Sequence, residues 1–156
     1  MLVHSPNRPD AFLTEGSPLG PTRAYPESKV RTEALILAEH GKLPIAILRL
    51  AGGYDDICYS PPLANQKQRI FERQLASHLH SGETSHRQSF LPLDDLIDAI
   101  MLVVGRRAKL PAVSTVLLGE AEALSYDELQ KGFIELIHDT SWETYSVLSL
   151  IAKVGA

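Results

Sequence analysis

Tyr25 and Lys29 stand four residues apart in the stretch Tyr25-Pro26-Glu27-Ser28-Lys29. On a helix, or on its first turn, that spacing projects both side chains to one side. A phenol has a pKa of about 10 and is a poor base at neutral pH. An ammonium close by favours the phenolate. A tyrosine so placed can exchange a proton with a substrate hydroxyl or carbonyl oxygen while hydride moves on the carbon side. The same spacing also has a bland reading, a surface tyrosine with a lysine neighbour one helical turn on. Spacing alone leaves both open.

Other residues invite chemistry less strongly. His78, His80 and His86 suggest a metal, but His78 and His80 would face different directions on a helix. Neither a Cys companion nor an HExxH motif accompanies them. The expectation is a polar helix end and no metal site. Asp94 and Asp95 are a candidate carboxylate pair for acid/base work, although a helix-capping Asp94 and a structural Asp95 is the preferred reading. Arg87 has the fork to bind an anionic substrate group, and a solvated loop arginine is the equal alternative. Arg31 with Glu27 and Glu39 reads as a solvated helix face. No Gly-x-Ser-x-Gly turn occurs, so a Ser-His-Asp hydrolase has no support.

The elements that must position these groups follow from pattern. Residues 5–26 hold five prolines and two glycines and read as a loop. Met1-Leu2-Val3 looks like the tail of a strand. The apolar spacing of Val30, Ala34, Leu37 and Ala38 predicts a helix over Glu27 to His40, ended by Gly41. Ile45 to Ala51 reads as a buried strand ended by Gly52-Gly53. Residues 54–63 read as a loop and Ala64 to His80 as a helix with the stripe Ile70, Phe71, Leu75 and Leu79. Residues 82–89 look polar and exposed. Asp94 to Val104 reads as a helix with acids at its positive end. Val113 to Leu118 is a short β-rich run. Ser125-Tyr126-Asp127-Glu128 is a capping-box pattern, opening a helix with Leu129, Phe133, Leu136 and Ile137. Two strands and four helices are α/β grammar. Two strands alone make a poor independent sheet.

Together these segments resemble the short-chain dehydrogenase/reductase superfamily, in its extended epimerase/dehydratase branch. Tyr25-Pro26-Glu27-Ser28-Lys29 is similar to the Tyr-x-x-x-Lys motif of that family, with the Ser before the Lys common in this branch. Arg49-Leu50-Ala51-Gly52-Gly53-Tyr54 resembles its Leu-Arg-Pro-x-x-x-Tyr-Gly segment. The stretch from Arg87 to Leu96 is similar to Arg-x-x-Phe-x-His-Val-x-Asp-Leu/Val. Leu117-Leu118-Gly119 and then Ser125 to Leu129 match the late strand, glycine and helix start. The resemblance covers residues 20–138. It implies NAD or NADP as cofactor, and a nucleotide sugar or other small hydroxy/keto compound as substrate. Tyr25 would be the acid/base. Lys29 would be its partner and a ribose contact, with Leu50 and Gly52 beside the cofactor and Arg87 toward the substrate.

The departures are specific. No G-x-x-G-x-x-G or G-x-G-x-x-G lies in the chain, so the fingerprint that seats a pyrophosphate on a helix N-terminus is missing from it. The family's catalytic Ser/Thr would fall ahead of Met1. Leu50 and Gly52 replace a Pro and a frequent Asn, and Pro92 stands where His is usual. The expectation is a partial chain, short at both ends and inactive in isolation.

Composition narrows the classes further. With 156 residues, 44% hydrophobic and 22% charged, the chain is read as one partial domain of an ordinary globular protein. Its net charge is −4 and its basic residues are spread, so a nucleic-acid footprint is absent. No apolar run is long enough for a membrane span, and the start is not a signal peptide. The single cysteine, Cys58, excludes an internal disulfide framework and fits a reducing cytoplasm. With no motif around it, Cys58 reads as inert. The fold expected is α/β, an incomplete Rossmann-like doubly wound sheet (its C-terminal half) with part of a small substrate-binding region. A homodimer is compatible with it. A non-catalytic remnant and an α/β interaction module are the alternatives.

Overall fold

The structure is a computed structural model that describes residues 3–4, 12–57 and 60–147. Cys58, Met1 and Leu2 lie outside the described residues, as does the tail beyond 147. In chain order the elements are α1 (Ala24–Glu39), β1 (Ile45–Leu50), β2 (Gly52–Tyr54), α2 (Pro61–Phe71), β3 (Leu79–His80), β4 (Arg87–Gln88) and β5 (Phe90–Pro92). Then come α3 (Leu93–Arg106), β6 (Val113–Leu118), β7 (Leu124–Ser125), α4 (Tyr126–His138) and β8 (Tyr145–Ser146). The chain folds as two compact units, Met1–Gly53 with Phe90–Glu120, and Tyr54–Ser89 with Ala121–Ala156.

The first unit is built on β1 and β6, which pair in parallel from Ile45 opposite Val113 to Leu50 opposite Leu118. The ladder extends at both ends, with Ile45 N–H bonded to Ala112 O and Ala51 N–H to Leu118 O, each at 2.8 Å. A parallel pair needs a long crossover, and α3 lies within this one. Burial is concentrated at Ala51, Phe90, Leu91 and Pro26. The run Ile45 to Ala51 was expected to be a buried strand, but only Ala51 of it is buried. Parallel strands are buried when helices cover both faces of a wider sheet, and here the pair forms a sheet of two among the described residues.

The second unit packs α2 against α4, with Ile70 and Ile134 fully enclosed. Gln130 is buried between them and satisfied at both ends of its amide. It donates to Ser77 O and accepts from Gln66 Nε2 at 2.8 Å. Leaving either atom unpaired there would cost desolvation energy with no return. Short strands complete the unit, β3 parallel to β8 and β4 antiparallel to β7.

Several boundaries differ from the pattern reading, each for a local reason. α1 begins at Ala24, three residues before Glu27, because Pro26 sits where an amide has no helical partner anyway. The run Ala64 to His80 is not one helix. α2 starts earlier, with Pro61 in the first turn, and ends at Phe71. Arg73 then adopts a left-handed φ of 50° and a short 3₁₀ turn spans Leu75–His78. Of the expected stripe only Ile70 is buried, and Phe71, Leu75 and Leu79 are exposed. Pro92, not Asp94, is the N-cap of α3, which places Asp94 and Asp95 in its first turn. In α4 the enclosed residues are Gln130 and Ile134, while Leu136 of the expected stripe is exposed. Beside the two six-residue strands the described residues hold six strands of two or three residues, too short to carry a hydrophobic period.

Candidate active site

Tyr25 and Lys29 lie on the first turns of α1, after the proline-rich loop. The first amide bonded within the helix is that of Glu27, to Arg23 O at 3.0 Å. Pro26 therefore forfeits no hydrogen bond by lacking its N–H. The Ser28 hydroxyl donates to Tyr25 O at 2.7 Å, and Thr32 repeats the pattern on Ser28 O at 2.9 Å. Tyr25 is 65% exposed. The Lys29 ammonium lies over its ring, 5.0 Å from the centroid, within the range of a cation–π contact. The two functional groups thus share one side of the helix, beside solvent.

A second set of side chains, which pattern reading did not single out for a role, holds this helix. Arg49 of β1 donates to both oxygens of Glu33 on α1, from Nη2 at 2.5 Å and from Nε at 3.2 Å. Its Nη1 donates to Glu15 O at 3.1 Å. The Arg49 and Glu33 side chains are only 10% and 12% exposed. Glu15 in turn accepts the Leu117 N–H of β6 at 3.2 Å. Hydrogen bonds from its own amide and from Leu117, with the Arg49 charge nearby, hold the Glu15 carboxyl below the usual carboxylate range. The loop is fixed again where Gly20 N–H bonds to Val3 O at 3.1 Å, and where the buried His4 ring meets Ser17 O at 3.2 Å.

Leu50 ends β1 and is 41% exposed, and Gly52 opens β2 with intermediate burial. Both lie at the C-terminal end of β1, in the same unit as Tyr25 and Lys29. Arg87 belongs to the other unit. On β4, opposite Ser125, it donates to Ala123 O at 2.8 Å and to Glu128 at 3.0 Å. Glu128 completes the capping box of α4. Hydrogen bonds from Ser125, and then the Arg87 charge, keep its carboxyl below the ordinary value. The Arg87–Glu128 pair is half-exposed.

His78, His80 and His138 are engaged with aromatic rings, while His86 lies 3.6 Å from the exposed Glu83 carboxylate. His80 stacks on Tyr126 with centroids 3.9 Å apart, and burial first, then the nearby His86, pushes its pKa down. His78 and His138 both approach Trp142, at 5.3 and 5.5 Å. Arg31 pairs with Glu27 on the exposed face of α1.

Comparison with known proteins finds likeness in three-dimensional structure. No family model and no curated protein sequence matches the chain. Among solved structures, it is similar to the dTDP-glucose 4,6-dehydratase of Bacillus anthracis in complex with NAD, with a TM-score of 0.76 and 20% identity over 94% of this chain and 46% of that one. It is similar to the UDP-glucuronic acid 4-epimerase of Bacillus cereus in complex with NAD and a fluorinated UDP-sugar, with a TM-score of 0.76 and 17% identity over 95% and 46%. The UDP-glucose 4-epimerase of Thermus thermophilus in complex with NAD gives a TM-score of 0.68 and 16% identity over 99% and 53%. The chain therefore spans about half the length of these solved chains. Its fold is the partial Rossmann-like α/β fold found in NAD-dependent sugar epimerases and dehydratases.

Proposed function

We propose that this chain supplies the proton-transfer part of an NAD(P)-dependent epimerase, dehydratase or reductase of the extended short-chain dehydrogenase/reductase type, acting on a nucleotide sugar or a related hydroxy/keto compound. The observation that carries the reading is the Lys29 ammonium seated over the exposed Tyr25 ring, in a fold shared with enzymes of that chemistry. Tyr25 exchanges its phenolic proton with the substrate oxygen, and Lys29 supplies the positive charge beside it.

The donor set suits only one end of a dinucleotide. In this reading Lys29 holds the nicotinamide ribose, with Leu50 at the end of β1 and Gly52 at the start of β2 as further cofactor contacts. No glycine-rich turn in the 156 residues offers backbone amides to a pyrophosphate. When bound, NAD(P) would supply the hydride acceptor and donor. By the resemblance alone, Arg87 is proposed to meet an anionic group of the substrate.

Two measurements test the reading. NADH titrated against the 156 residues and followed by fluorescence gives no saturation in the micromolar range. In a polypeptide joining these residues to a glycine-rich nucleotide-binding half, Tyr25→Phe lowers turnover of a UDP- or dTDP-sugar by about 10²- to 10⁴-fold. Unchanged turnover would favour the second reading, an α/β binding module or non-catalytic remnant.

A further inference from the structure

The α1 helix has little to fix its rotation except charge. Its one buried residue is Pro26, and its N-cap, Arg23, makes no side-chain capping bond. Tyr25, Lys29 and Glu33 recur every four residues, so each is turned only about 40° past the last around the axis and all three share a face. Glu33 is the member of that stripe gripped from the sheet. The Arg49 fork meets both of its oxygens, which fixes direction as well as distance. The same guanidinium holds Glu15 O in the loop that leads into Tyr25, and Glu15 is tied to Leu117, the register partner of Arg49 on β6. One side chain thereby fixes the helix, its entry loop and, through Glu15, both strands.

We propose that Arg49 is a positioning residue, which with Glu33 and Glu15 holds the Tyr25–Lys29 face of α1 in one orientation relative to the β1–β6 ladder. The proposal rests on the acid/base reading of Tyr25 for its consequence, and on the hydrogen-bond geometry for its existence. A lysine at position 49 keeps the charge but lacks the fork, so it does not restore the hold. A reversed pair, with the carboxylate on β1 and the guanidinium on α1, restores it in part.

The test uses the 156-residue chain and amide hydrogen exchange read by mass spectrometry, with Glu33→Gln, Arg49→Lys and the double exchange E33R/R49E. Glu33→Gln and Arg49→Lys each speed exchange over residues 12–33 by about tenfold, while α4, in the other unit, stays within about twofold. The Tyr25 ring signal in a ¹³C-tyrosine spectrum, assigned by its loss in Tyr25→Phe, shifts in both single variants and returns toward its original position in the double exchange. Unchanged exchange over 12–33, or an equal rise in α4, overturns the proposal. In the joined polypeptide, Arg49→Lys lowers kcat by about a hundredfold with KM nearly unchanged, the mark of misplaced chemistry rather than lost binding. A normal kcat there, with Tyr25→Phe inactive, also overturns the positioning role. If Tyr25→Phe itself turns over normally, the acid/base reading fails, and the exchange data still decide whether the clamp exists.

Discussion

At the scale of single residues, the acid/base role proposed for Tyr25 depends on the charge of Lys29. The ammonium sits over the ring face, 5.0 Å from its centroid. The benefit proposed for it is electrostatic and therefore survives only in a side chain that carries charge to the same place. Lys29→Met removes that charge and, where the chain is part of an active enzyme, lowers turnover by about 10²-fold or more. Lys29→Arg keeps charge but spreads it over a planar fork, and recovers only part of the loss. Steady-state rates of the two variants, measured against Tyr25→Phe, check the ordering. Equal rates for Lys29→Met and the parent chain would remove Lys29 from the mechanism. The pair was readable in sequence because it is local, four residues along one helix. The grip of Arg49 on Glu33 spans sixteen residues, and its hold on Glu15 spans thirty-four, so no local spacing announces either.

At the scale of elements, the same divide between local and non-local signals decides what could be read. The capping box of α4 was legible because Ser125 and Glu128 satisfy one another within a single turn, and both of its bonds are present. The end of α2 was not, because nothing in the composition of residues 72–74 marks Arg73 for a left-handed backbone. The box also has a calculable pH response. The folded-state Glu128 carboxyl is held below its ordinary value by the Ser125 hydrogen bonds and then by Arg87. A depressed carboxyl contributes stability that is complete above the unfolded value, about 4.3. That contribution is lost as pH falls through the folded value. Glu128→Gln therefore destabilises the chain at neutral pH, because a neutral amide accepts the Ser125 N–H less strongly than a carboxylate does. Its difference from the parent chain narrows below about pH 4. Urea unfolding of both chains at neutral and acid pH tests this, and a gap that is independent of pH would show that the carboxylate takes no part in the cap.

At the scale of the whole molecule, the amphipathic pattern and the burial it was expected to produce come apart. Leu93, Ile97, Ile100, Met101 and Val104 recur at helical spacing along α3, yet each is between 42% and 64% exposed and the helix has no buried residue. Ile134 on α4 is of the same chemical kind and is 0% exposed. Periodicity reports which face of a helix is apolar, while the amount of cover depends on what packs against it. The energetic consequence is a contrast between two substitutions. Ile134→Ala empties an enclosed site and costs about 2–5 kcal/mol. Met101→Lys changes a side chain already in water and alters stability by no more than about 0.5 kcal/mol. It also breaks a contiguous apolar stripe of the kind that binds hydrophobic dyes and promotes association. Denaturant unfolding of both variants, with dye fluorescence and sedimentation of Met101→Lys, distinguishes the cases. Dye binding and self-association fall in Met101→Lys if the stripe is open to solvent. A loss of stability comparable to that of Ile134→Ala would mean instead that the α3 face is covered in solution.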